Sequence, residues 1–180
     1  MPEPTVLDFR TKLPRGTTPP RTRDPHIIAR YWVHHSATLR SVSATTLARY
    51  HVETLHWPTI AYAWAIYPNG TIAQCLDLSE VGYHVASKAT VDAISVDNWQ
   101  GLGIVLIGTF TPTLFPTREQ LESLEWLLAH LDGLLTGPGI PRGLCLVRAH
   151  CEGDFPTECP GEGYRKWLDP IRLRRQRGGI

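Results

Sequence analysis

Nowhere in its 180 residues does this chain carry an apolar run of the roughly 18 residues that a membrane-spanning helix needs. Its opening stretch, MPEPTVLDFRTKLPRG, has no apolar core of a signal peptide, so export by that route is not expected. Cysteine is sparse. Cys75, Cys145, Cys151 and Cys159 are too few and too scattered for a disulfide scaffold, which leaves free thiols or a metal ligand. Charge is modest as well: charged residues make up 19% and the net charge is +1, so neither nucleic acid nor a membrane surface is expected as a partner. The apolar fraction of 42% and the length together describe one domain with one real core, and a monomer is expected.

Residues 1–26 hold six prolines and little periodicity, which predicts an extended surface strap. The segment IIARYWVHHS, 27–36, is rich in β-branched and aromatic residues and predicts a strand. Ser43 is placed to cap a helix running to about Leu55, before HWP breaks it. AYAWAIYPNGTIAQC, 61–75, alternates on both sides of Asn69-Gly70 and predicts a hairpin, with Tyr62, Trp64 and Ile66 on one face and alanines on the other. Residues 77–98 read as loops with a little helix, and the continuous apolar run 102–110 as a strand buried on both faces. Thr117 and Gln120 form a capping box ahead of a leucine stripe, which predicts a helix stopped at Gly137. LCLVRAH, 144–150, reads as a short strand, and GYRKWLDPIRL as a helix interrupted at Pro170. The predicted organisation is a strap (1–26), an α/β domain with a mixed central sheet flanked by helices (27–171), and a basic tail (172–180).

Imidazole and thiolate are preferred zinc ligands, and catalytic zinc sites use three protein ligands with a fourth position left for water. His34 ends one predicted strand and His150 another; neighbouring strands would bring the two together, with Cys159 returning through its loop. Spacing alone leaves the plainer alternatives open. A histidine on an apolar strand is more often a hydrogen-bonded core residue, and a single cysteine a small buried hydrophobe.

The stretches WVHHSAT, GTIAQCLDLSEVGYHVA, NWQGLGIVLIGTF and AHCEGDFPTECPG stand in an order that resembles the type 2 zinc N-acetylmuramoyl-L-alanine amidases, the family of phage amidase-type lysozymes and animal peptidoglycan recognition proteins. The resemblance spans roughly residues 27–170 and implies a mixed sheet flanked by helices, with zinc (Zn2+) in a surface groove. By this resemblance His34, His150 and Cys159 are the metal ligands, and Tyr62 and Thr157 the catalytic pair. His51, His56, Trp57 and His84 match substrate-contacting positions. His35 either lines the groove as well or packs beneath the sheet, because adjacent strand residues face opposite ways. Trp57 leans toward a diaminopimelate-type stem peptide, while His56 departs from the usual neighbour and could equally be a solvated helix-end histidine.

Thr157 also has the chemistry of a turn residue bonding its own backbone. Cys159 stands where cytoplasmic recycling amidases carry aspartate, and GIVLIG lacks their glutamate, so that branch is disfavoured. The resemblance thus implies hydrolysis of the amide joining N-acetylmuramic acid to L-alanine, with peptidoglycan as partner. It further implies an endolysin made in the cytoplasm and acting on the cell wall. The alternative within the fold is a binding module without turnover. The basic tail could grip anionic wall polymer or simply be a solvated terminus.

Overall fold

The computed structural model describes residues 3–135 and 145–178. The amino-terminal strap contributes a strand to the sheet: β1 (Val6–Asp8) pairs in parallel with β4 (Ile72–Gln74). Further along the strap, the buried Arg23 guanidinium donates to five backbone carbonyls, those of Leu78, Glu80, Asn98, Trp99 and Gly101. Burying a cation is costly unless its donors are satisfied, and here every partner is a carbonyl dipole. The strap is therefore clamped to the loops beneath it.

Six strands form the main sheet in the order β1-β4-β3-β7-β2-β8. β2 (Arg30–His35) lies between β7 (Gly101–Leu106) and β8 (Leu146–Ala149) and is parallel to both. β3 (Trp64–Ile66) is parallel to β7 and antiparallel to β4, the latter pair forming the predicted hairpin with Gly70 at φ 82. A second, two-stranded ribbon of β5 (Thr90–Val91) and β6 (Ile94–Ser95) precedes the short helix α2 (Val96–Trp99). This is the mixed sheet expected from the sequence.

The Ser43 hydroxyl accepts from the Thr46 amide and starts α1 (Ala44–Arg49), which widens into a π-helical turn over Tyr50–Thr54. His56, at φ 57, ends it. The capping box forms as expected: the Thr117 hydroxyl accepts from the Gln120 amide, and the Gln120 side chain accepts from the Thr117 amide. Helix α3 (Arg118–Leu135) then buries Leu124, Leu127, Leu128, Leu131 and Leu135 against the sheet. The predicted stop at Gly137 lies outside the described residues.

Helix α4 (Arg165–Gln176) corrects the expectation of a break at Pro170 and of a free basic tail. Pro170 and Lys166 are both exposed, so the carbonyl that loses its donor can meet water. The tail arginines are held by carboxylates: Arg172 by Glu152 and Asp169, Arg174 by Glu125, and Arg175 by Asp132.

Candidate metal and substrate site

β2 and β8 run side by side in the same direction, with Val33 opposite Ala149, so their carboxyl ends open at one edge. That edge carries His34 at the end of β2 and His150 in the 3-10 turn (His150–Glu152) that directly follows β8. Their rings stand 4.5 Å apart between centroids. Cys159 returns to the same point, its Sγ 3.7 Å from His34 Nδ1 and accepting the His35 amide at 3.4 Å. One ligand atom from each of His34, His150 and Cys159 lies within 4.8 Å of the others, a grouping that could hold a metal ion.

The donor set suits zinc. A nitrogen at about 2.0–2.1 Å and a thiolate at about 2.3 Å from one tetrahedral centre stand roughly 3.6 Å apart, close to the separation seen between His34 and Cys159. Burial, then the neighbouring His84 and His150, holds the His34 pKa well below its ordinary value; burial and then His35 bring His150 down to about 4. Both imidazoles are therefore neutral at pH 7, as metal ligation requires. Burial pushes the Cys159 thiol up to about 12, so without a cation the sulfur keeps its proton.

Tyr62 lies just ahead of β3 and its ring is 5.1 Å from that of His34. Burial and then Cys159 raise its hydroxyl pKa, which keeps it a proton donor at neutral pH. The Thr157 hydroxyl accepts from the Cys159 amide at 3.2 Å, the local turn anticipated for it, and its own O–H is still available to donate.

The remaining predicted residues divide. Trp57 is half-buried and stacked on His51 at 5.1 Å, and His51 meets Tyr62 edge-on at 5.7 Å, so an aromatic path leads from Trp57 to His34. His56 is exposed. The half-buried His35 accepts the Phe110 amide on its Nδ1, and its ring lies 6.0 Å from that of Phe110. His51 and His84, expected at the substrate surface, are only 7% and 6% exposed. Each has an internal partner. His51 Nδ1 accepts the Ala61 amide, and His84 Nδ1 stands 3.2 Å from His34 Nε2.

Burial of His51 has a measurable consequence. Its pKa falls from the ordinary 6.5 to about 4 on folding, because burial disfavours the charged ring. The unfolded chain then binds more protons below pH 6.5. The associated stability is complete above that value and is lost as pH falls through about 4, on the order of 2–3 kcal/mol in all. Asparagine keeps an acceptor for the Ala61 amide but does not titrate there. Urea unfolding between pH 7 and pH 4 should therefore lose less stability in His51→Asn than in the wild type; equal losses would remove His51 from the account.

A family model of N-acetylmuramoyl-L-alanine amidase matches residues 24–162. The chain belongs to that family. Among solved structures it resembles the N-acetylmuramoyl-L-alanine amidase LysC from Clostridium intestinale URNW, with TM-score 0.72 and 20% identity, covering 95% of this chain and 97% of that one. Peptidoglycan recognition protein-LE in complex with tracheal cytotoxin, a monomeric diaminopimelic acid-type peptidoglycan, gives TM-score 0.71 and 24% identity over 94% and 93% of the two chains. The Ph2119 endolysin from Thermus scotoductus MAT2119 bacteriophage Ph2119 gives 0.69 and 20% over 91% and 97%. The amidase fold is thus present almost end to end. No curated protein sequence matches significantly.

Within this amidase fold several supporting residues escaped sequence reasoning. Glu152 accepts from the Ala149 amide, the Tyr164 hydroxyl and Arg172, which ties the turn carrying His150 to α4. Asn98 Oδ1 accepts the amides of His84 and Val85 and fixes the backbone of that segment. Apart from the contact of Glu152 with Ala149 three residues before it, the partners are distant in sequence and leave no local signal. Gly103 did carry one: a glycine inside a buried strand marks a close approach. A Cβ there would lie 2.8 Å from the His84 ring.

Proposed function

We propose that this chain is a zinc-dependent peptidoglycan amidase that hydrolyses the amide between N-acetylmuramic acid and the L-alanine of the stem peptide, acting as a phage or prophage endolysin on the cell wall. The observation that carries the reading is the convergence of His34, His150 and Cys159 within 4.8 Å at the carboxyl ends of β2 and β8, in a chain of the amidase family. Likeness along nearly the whole chain to the Ph2119 endolysin supports the endolysin part.

Zinc, when bound by these three residues, would supply Lewis acidity and a water activated near neutral pH. The chain's own groups do the rest. Tyr62, kept protonated by its surroundings, donates its hydroxyl hydrogen to the oxygen of the carbonyl under attack, where negative charge develops. Thr157, fixed through the Cys159 amide, offers a second O–H at the same loop. The buried His51 ring, stacked on Trp57, packs edge-on against Tyr62, and the half-buried Trp57 offers an aromatic surface to the stem peptide.

Mass analysis of purified peptidoglycan after digestion tests the bond. The expected products are stem peptides with a free L-alanine amine and glycan strands left intact. New reducing sugar ends would refute the assignment, and binding without any released peptide would favour a receptor of the same fold.

A further inference from the structure

His84 is one of the histidines grouped around His34. It is 6% exposed, its backbone is held by Asn98, and its ring lies over Gly103 of β7. By strand register Gly103 is opposite Trp32 and Val105 is opposite His34, so His84 sits on the face of the sheet that carries His34. There its Nδ1 stands 3.2 Å from His34 Nε2, with both side chains buried.

The two nitrogens of His34 therefore have different neighbours. Nδ1 faces Cys159 Sγ at 3.7 Å, on the side where the three ligands converge. Nε2 faces His84. A ligating nitrogen must present a lone pair, so a metal held on Nδ1 requires the His34 proton on Nε2. His84 Nδ1 must then accept it, which forces the His84 proton onto its own Nε2. That nitrogen is buried without a hydrogen-bond partner in the structure.

We infer that His84 is a positioning residue for the metal centre: as a neutral hydrogen-bond acceptor it fixes the tautomer and orientation of His34, so that Nδ1 is presented to zinc. This rests on the zinc reading above. Ligating histidines usually donate their second N–H to a carboxylate, a carbonyl or water, and losing such a partner typically lowers metal affinity about 10–100-fold. Here the partner is a second imidazole.

Two variants test it. His84→Leu removes the acceptor; His84→Asn keeps a carbonyl oxygen where Nδ1 stands. Zinc affinity is measured by chelator competition on the full chain, and ring 15N NMR reads the His34 tautomer in metal-free protein. The expected result is an affinity about 10–100-fold weaker for His84→Leu and within a few-fold of wild type for His84→Asn. Metal-free wild type should carry the His34 proton on Nε2. A His34 proton on Nδ1 in wild type, or equal zinc affinity in wild type and His84→Leu, would overturn the inference while the metal site stands. Should His84→Leu not fold, a loss of affinity in His84→Asn as large as that expected for the leucine would count against it. Wild type that binds no zinc would overturn the metal reading, and this inference with it.

Discussion

Cys159→Ser should lose bound zinc and wall lysis together. The wild type is expected to carry about one zinc per chain, and serine offers a hydroxyl that stays protonated where a thiolate is needed. The substitution is nearly isosteric, and Cys159 is held by the Thr157 and His35 contacts around it, so the fold should survive without metal. Metal analysis of the purified variant, alongside turbidity clearing of cell walls, checks both losses. Chelation of the wild type should reproduce the same inactive state, and added zinc should reverse it only in the wild type. Metal-free wild-type protein with undiminished lysis would sink the zinc mechanism.

Tyr62→Phe is expected to separate chemistry from binding. The ring contacts with His34 and His51 do not involve the hydroxyl, so phenylalanine keeps the packing. What disappears is the donor to the developing oxyanion. Removing one such donor typically costs about 10²–10³ in kcat, or roughly 2.7–4 kcal/mol. Zinc content and affinity for peptidoglycan should stay near wild type, in contrast to Cys159→Ser. Full kcat in Tyr62→Phe would make Tyr62 a packing residue and shift the donor role to Thr157.

The parts of this architecture that were legible in the sequence are those governed by neighbours close along the chain. Asn69-Gly70 announced the hairpin, Thr117 with Gln120 announced α3, and the apolar run ending at His34 announced β2, because turn chemistry, capping and periodicity are local. That His34, His150 and Cys159 come together was legible through the order of their motifs, and β2–β8 adjacency supplies the physical reason. What was not legible depends on distant partners. Three residues, Val6–Asp8, are too short to read as a strand until β4 is there to pair with them. The arginines after Pro170 look like a solvated tail until Glu152, Glu125 and Asp132 are seen opposite them. His84 has no local signal for its neighbours, and its contacts with Gly103 and His34 appear only once the chain is folded.

The placement of β2 also bears on how the molecule folds. Arg30 pairs with Gly101 on one side and Leu146 on the other, so this strand waits for chain made much later on both flanks. Such non-local pairing raises contact order and slows folding, since loop-closure entropy is spent before the contacts form. Two of the three proposed ligands hang on the later of these pairings, because His150 follows β8 and Cys159 lies beyond it. Metal capture should therefore be a late event in refolding, trailing the burial of Trp32 and Trp64, and a zinc-responsive dye should lag behind tryptophan fluorescence.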